Sequence, residues 1–282
     1  MPWPFDRDYM QLALIAGVVV GAAAPMMGVF LVQRRLSLMG DGIGHVAFAG
    51  VAAGVLLDVW PVWTALVFAV VGAVLVERLR SAGKASGDLA LALFFYGGIA
   101  AGVVMVSKAD SLNTNLLSYL FGSILTVDRS EVQVIVALGV VVALVVLLTS
   151  RALFAMAVDE EWSRVAGLPV SLLNSLLAAL VAVTIVAAMR VVGILLVAAL
   201  MVLPVASGQL LARSQRAIVG WSVAIGVGSA VFGLGGARQW ALAPGGTIVL
   251  VAVAVFAIVS VTDAGRKRLS PKAIPTHSHH HW

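Results

Sequence analysis

Asp41 and His45 are the residues of this chain whose types and surroundings most need a chemical explanation. They stand four apart in Met39-Gly40-Asp41-Gly42-Ile43-Gly44-His45-Val46-Ala47-Phe48-Ala49-Gly50, so on a helix they share one face. The apolar run that holds them, about 36 to 57, is long enough to cross a hydrocarbon core of ~30 Å at ~1.5 Å per residue, which puts His45 near mid-depth. A charged group at that depth costs on the order of 2.5 kcal/mol or more, so it faces a bundle interior, a partner or a water-filled path. Carboxylate with imidazole is also a divalent-metal ligand set. Gly40, Gly42, Gly44 and Gly50 weaken the helix and admit a close backbone or an ion, as in discontinuous transporter helices. The residues alone leave a second reading equally open, an internal hydrogen-bonded pair that joins helices.

Two further stretches carry chemistry. The tail Thr276-His277-Ser278-His279-His280-His281-Trp282 holds four of the five histidines and reads as a metal-binding tract, with Ser278 and Trp282 favouring a native tail over an expression tag. The polar segment 157–169 reads as a short helix with Asp159, Glu160 and Glu161 in its first turn, where acids suit the dipole, and with Gly167 and Pro169 ending it. It is either a docking surface for a cytoplasmic partner or a solvated connector.

The elements that must position these groups are membrane spans. Of 282 residues, 61% are hydrophobic and 11% charged, and the mean hydropathy of +1.07 is beyond what a soluble domain carries. With no cysteine, disulfides and thiolate metal sites are excluded. A net charge of +5 does not point to nucleic acid, because the basic residues lie between apolar runs and at the C-terminus. The N-terminus lacks the basic region and cleavage site of a signal peptide, so the first run stays as a span.

Apolar runs fall near 10–32, 37–57, 61–77, 88–107, 131–150, 171–189, 191–211, 217–234 and 246–262. This predicts an all-α polytopic bundle of eight or nine transmembrane helices, the lower count making one run re-entrant. The stretch 116–125 is too short to cross and reads as a re-entrant or surface helix. Pro204 should break or kink its run. With the N-terminus outside and the C-terminus cytoplasmic, thirteen Lys and Arg lie inside and five outside, as the positive-inside rule requires. Residues 1–265 then form the transmembrane domain and 266–282 a basic, His-rich cytoplasmic tail. There is no phosphate loop, no H-E-x-x-H and no G-x-S-x-G, so the chain is not expected to be an enzyme or to hydrolyse ATP itself.

Three separated motifs carry a family resemblance. They are Arg35-Leu36-Ser37-Leu38-Met39-Gly40-Asp41 through His45 to Gly50-Val51-Ala52; Ser118-Tyr119-Leu120-Phe121-Gly122; and Val192-Gly193-Ile194-Leu195-Leu196 through Leu203-Pro204. In this order, over nearly the whole chain, they resemble the membrane permeases of zinc and manganese ABC importers. Ala166-Gly167-Leu168-Pro169 falls where that family carries its coupling helix. The resemblance implies a multi-pass permease of the bacterial cell membrane, paired with a second copy of itself, two cytoplasmic ATP-binding subunits and an extracytoplasmic metal-binding protein. It implies that Asp41 and His45 belong to a transient site for a transported metal, zinc favoured over manganese, with no permanently bound cofactor. It also implies that Asp159, Glu160, Glu161 and Gly167 couple to the ATPase. The rival is a proton-coupled secondary transporter that uses Asp41 and His45 as a relay.

Overall fold

Apolar runs joined by short polar links leave the backbone one economical way to satisfy its hydrogen bonds in lipid, which is helix. The computed structural model describes residues 6–81, 87–108, 114–123 and 128–269, and these are all-α, with no strand among them. In order they form α1 (Asp8–Gln33), α2 (Met39–Leu56), α3 (Pro61–Ser81), α4 (Gly87–Lys108), α5 (Thr114–Phe121), α6 (Arg129–Val158), α7 (Glu160–Val165), α8 (Val170–Ala188), α9 (Val197–Leu211), α10 (Gln215–Trp240) and α11 (Pro244–Leu269).

Among the described helices, eight are long and apolar enough to cross a membrane: α1, α2, α3, α4, α6, α8, α10 and α11. The run 191–211 does not make a full span. Its helix, α9, has 15 residues, roughly 22 Å at ~1.5 Å per residue against a core of ~30 Å. The chain before it, residues 189–196, is irregular, with 189–194 buried and Leu195 exposed. Pro204 lies inside α9 without ending it. α11 runs to Leu269, past the boundary expected at 265, and His277, His279, His280 and His281 lie outside the described residues.

The apolar windows of α1, α2 and α8 are 67% buried and form the centre, whereas those of α4 and α11, at 17%, sit at the edge. α1 packs against α6, α9 and α10, and α2 packs between α3 and α4. Polar residues gather at the two ends of this bundle. At one end Arg34 meets Glu160 and Asn174, and Gln33 meets Gln215. At the other, Arg190 pairs with Glu131, and Arg238 with Asp6.

Candidate functional site

α2 is one unbroken helix, and Asp41 stands in its first turn, where a carboxylate meets the positive end of the helix dipole. His45 lies one turn further in, roughly 9 Å from the helix start at ~1.5 Å per residue. The pair therefore begins at one end of the span and reaches inward, instead of centring on mid-depth. Both side chains are half-buried, on the side of α2 that faces α4. The His45 ring meets Phe95 edge-on with centroids 4.3 Å apart, and Asp41 lines a cavity of about 390 Å³ with Leu38, Leu91, Ala92, Phe95 and Tyr96. α4 can approach because position 98 is glycine, where a Cβ would fall 2.7 Å from the His45 carbonyl carbon.

The glycines of α2 serve packing. Gly40 and Gly44 face Ala198 and Ile194, Gly42 faces Leu91, and Gly50 and Gly54 face α3 at Ala65 and Pro61. They do not open the helix to an ion, and the interruption of helix expected here occurs instead at 189–196. Neither Asp41 nor His45 has a hydrogen-bond partner among the described residues, so the internal hydrogen-bonded pair is not formed. No third His, Asp or Glu joins them among those residues. A cation here would draw the rest of its shell from water, backbone carbonyls or another chain.

A second cavity of about 260 Å³, lined by Arg35, Ser37, Glu77 and Arg80, shares Leu38 and Leu91 with the first. Two apolar side chains thus stand between Asp41 and the charged end of the cleft. Glu77 is committed there, since its carboxylate takes the Arg80 guanidinium and the Ser81 hydroxyl, each at 2.9 Å.

α7 distributes its residues differently from the sequence expectation. Asp159 caps the helix, accepting the Trp162 amide at 2.8 Å. Glu160 turns inward, where it pairs with Arg34 and accepts from Asn174 at 3.3 Å. Glu161 is exposed. Gly167, at φ +84°, ends the element by letting the Leu168 amide reach back to the Ser163 carbonyl at 3.0 Å. Beside the exposed Glu161 and Arg164, the outward surface carries three large apolar side chains: Val158, Trp162 and Val165 are 79%, 67% and 87% exposed.

The two later motifs meet each other. The Ile194 and Leu195 amides donate to the Tyr119 and Leu120 carbonyls at 2.9 and 3.3 Å, and the Ser123 amide donates to the Arg190 carbonyl at 3.0 Å. Gly193 (φ +89°) and Gly122 (φ +76°) make this possible, because a Cβ would lie 2.3 Å from the Leu120 oxygen or 2.4 Å from the Val191 oxygen. α5 therefore satisfies backbone groups that irregular chain could not leave bare in lipid. Arg190 locks the junction, 2.9 Å from the Glu131 carboxylate and 4.6 Å from the Tyr119 ring centroid. Asp128 and Glu131 form a capping box on α6, whose Asp-Arg-Ser-Glu pattern is readable in sequence; the pairing of Glu131 with Arg190 is not.

Eight helices long and apolar enough to cross a membrane define a multi-pass membrane protein. The chain belongs to the ABC 3 transport family, whose profile matches residues 6–263, and it is a permease subunit of the manganese and zinc class of ABC transporters in the plasma membrane. It is 30% identical to the manganese import system permease protein ScaB of Streptococcus gordonii, over 93% of this chain and 94% of that one. It is 28% identical to the high-affinity zinc uptake system membrane protein ZnuB of Haemophilus influenzae, over 87% of this chain and 94% of ZnuB. Among solved structures it resembles PsaBC from Streptococcus pneumoniae in complex with Fab, with a TM-score of 0.82 and 30% identity over 90% of this chain and 91% of that one.

Proposed function

We propose that this permease imports manganese(II) or zinc(II) through a path on which Asp41 and His45 form a transient station. The observation that carries the reading is that these two metal-competent side chains lie one turn apart on the side of α2 that faces α4, Asp41 lining a cavity there and His45 against Phe95, with no hydrogen-bond partner for either among the described residues. Two donors hold an ion loosely enough to release it, and the missing ligands come from water or from the same residues of a second copy. Relatives named for manganese at 30% identity and for zinc at 28% support both cargoes, manganese slightly the more. Family membership offers no support to a proton-coupled carrier.

The remaining assignments follow from that assembly. The N-terminus faces outward, so the end that bears Arg34, Arg164 and α7 is cytoplasmic. There, Val158, Trp162 and Val165 dock an ATP-binding subunit, and an extracytoplasmic binding protein delivers metal at the Arg190 end. The test is uptake of radiolabelled manganese(II) and zinc(II) by the reconstituted transporter. Asp41→Asn and His45→Ala should each lower uptake about tenfold or more, with assembly and ATP hydrolysis retained. Normal uptake by both folded variants would sink the site.

A further inference from the structure

We propose that the junction of Arg34, Glu160 and Asn174, in which Glu160 keeps 36% of its side chain exposed, is a rigid strut that carries movement of α7 to the first turn of α2, and hence to Asp41. The inference rests on the reading of α7 as the helix that docks the ATP-binding subunit. The Arg34 side chain is 6% exposed and Asn174 3%. Arg34 donates through one nitrogen to Asn174 at 2.6 Å and through the other to Glu160, while Asn174 donates back to Glu160 at 3.3 Å. This closed triangle joins the ends of α1, α7 and α8. Each member satisfies the other two, so displacing one displaces all three or exposes a buried charge.

From Arg34 the route to Asp41 is short and hydrogen-bonded at several of its amides. Arg34 caps α1, and Arg35 follows at φ +57°, a conformation that a side chain adopts only when its surroundings hold it. The Leu36 amide bonds back to the Leu31 carbonyl at 2.8 Å, the Met39 amide to the Leu36 carbonyl at 2.9 Å, and the Gly42 amide to the Leu38 carbonyl at 3.2 Å. No slack loop lies between the strut and the turn that holds Asp41. A pull on Glu160 is therefore delivered to Leu38 and Asp41 instead of being absorbed. By contrast, Arg164 reaches Glu160 at 3.5 Å from a position 71% exposed, which makes it an ornament of the strut and not a member.

The chain has no cysteine, which permits a clean probe at Ser37 on this turn. The transporter, assembled with its ATP-binding subunit, is reacted with a soluble maleimide with and without ATP and vanadate, and the permease band alone is read. S37C should react at a rate that changes several-fold with nucleotide. S37C/R34M and S37C/E160Q should lose that dependence and most manganese(II) uptake while still assembling and hydrolysing ATP; S37C/R164Q should keep both. Should either variant fail to fold, S37C/R34K, which keeps the charge but cannot span both partners, should show a reduced response. A nucleotide response unchanged in R34M, E160Q or R34K, or absent in S37C itself, overturns the strut. Failure of the docking reading is distinguishable, because W162S and V165S would then still retain the ATP-binding subunit.

Discussion

α5 and α7 are the two short helices of the described chain, eight and six residues long, and the bundle uses them in opposite ways. α5 turns Tyr119 inward until it is 5% exposed and lends its carbonyls to residues 194 and 195. α7 commits Glu160 and Ser163 to internal bonds and presents Trp162 and Val165, beside Glu161 and Arg164, to the outside. Each end also has a buried arginine: Arg190 with Glu131 beside α5, and Arg34 with Glu160 beside α7. What a short helix does is thus decided by which of its groups still lack partners. At α5 these are backbone carbonyls, which bind chain; at α7 they are apolar side chains, which bind a neighbour.

Substitutions at two glycines should separate the two helices most clearly. Gly193→Ala puts a methyl 2.3 Å from the Leu120 oxygen in left-handed backbone, and the loss should be on the order of 4 kcal/mol or more, read as a collapse of thermal stability in detergent. Gly167→Ala has a similar φ but nothing within 4 Å, so only about 1 kcal/mol should be lost. Equal losses would show that backbone strain alone, and not the α5 junction, makes Gly193 necessary.

Arg190→Met comes next. It leaves the Glu131 carboxylate half-committed to a buried partner that is gone, and should cost about 3 kcal/mol. Adding Glu131→Gln should return part of the loss. If the double variant is no better than the single, the pair is not the lock.

Much of this was legible in the sequence, and what was not has a physical reason. The eight spans follow from uninterrupted apolar runs, and Gly167 with Pro169 marked the end of α7 because those residues cannot continue a helix. The facing of α2's glycines was not legible, since a glycine that admits an ion and one that admits Ala198 or Leu91 look alike until the neighbour is placed. Glu160 was expected to face a partner because it is charged and sits in a polar segment. Within the chain it meets Arg34 and Asn174, 126 and 14 residues away, and nothing local announces either.

Trp162→Ser tests the outward side of α7. With 67% of the side chain exposed, stability should change by no more than about 0.5 kcal/mol, whereas retention of the ATP-binding subunit should weaken by about 2 kcal/mol, roughly 30-fold. Co-purification against a stability curve separates the two. Asp159→Ala should act more mildly, removing the cap on the Trp162 amide for about 1 kcal/mol of local order, visible as faster amide exchange across 160–165.

The smallest effect lies at the α5 end, where Asp128 caps α6. Its carboxyl is held below the usual carboxylate range, first by the Arg129 amide at 2.7 Å and then by the Ser130 hydroxyl at 3.0 Å. A carboxyl whose pKa is lowered on folding stabilises the fold in its charged form. That contribution is fully present above the unfolded value of about 3.9 and fades as pH falls through the lower folded value. Because the group is fully exposed, solvent keeps the effect small, and it should appear only as local fraying of the first turn of α6 in acid. Asp128→Asn keeps an acceptor for the Arg129 amide but has no charge to lose. Amide exchange across 129–132, followed from about pH 5 downward, should therefore quicken in the parent and stay flat in Asp128→Asn after correction for intrinsic rates. If acid loosened the first turn of α6 equally in the parent and in Asp128→Asn, the Asp128 carboxyl would not be the source of the pH dependence, and the cap would act through its hydrogen bonds alone.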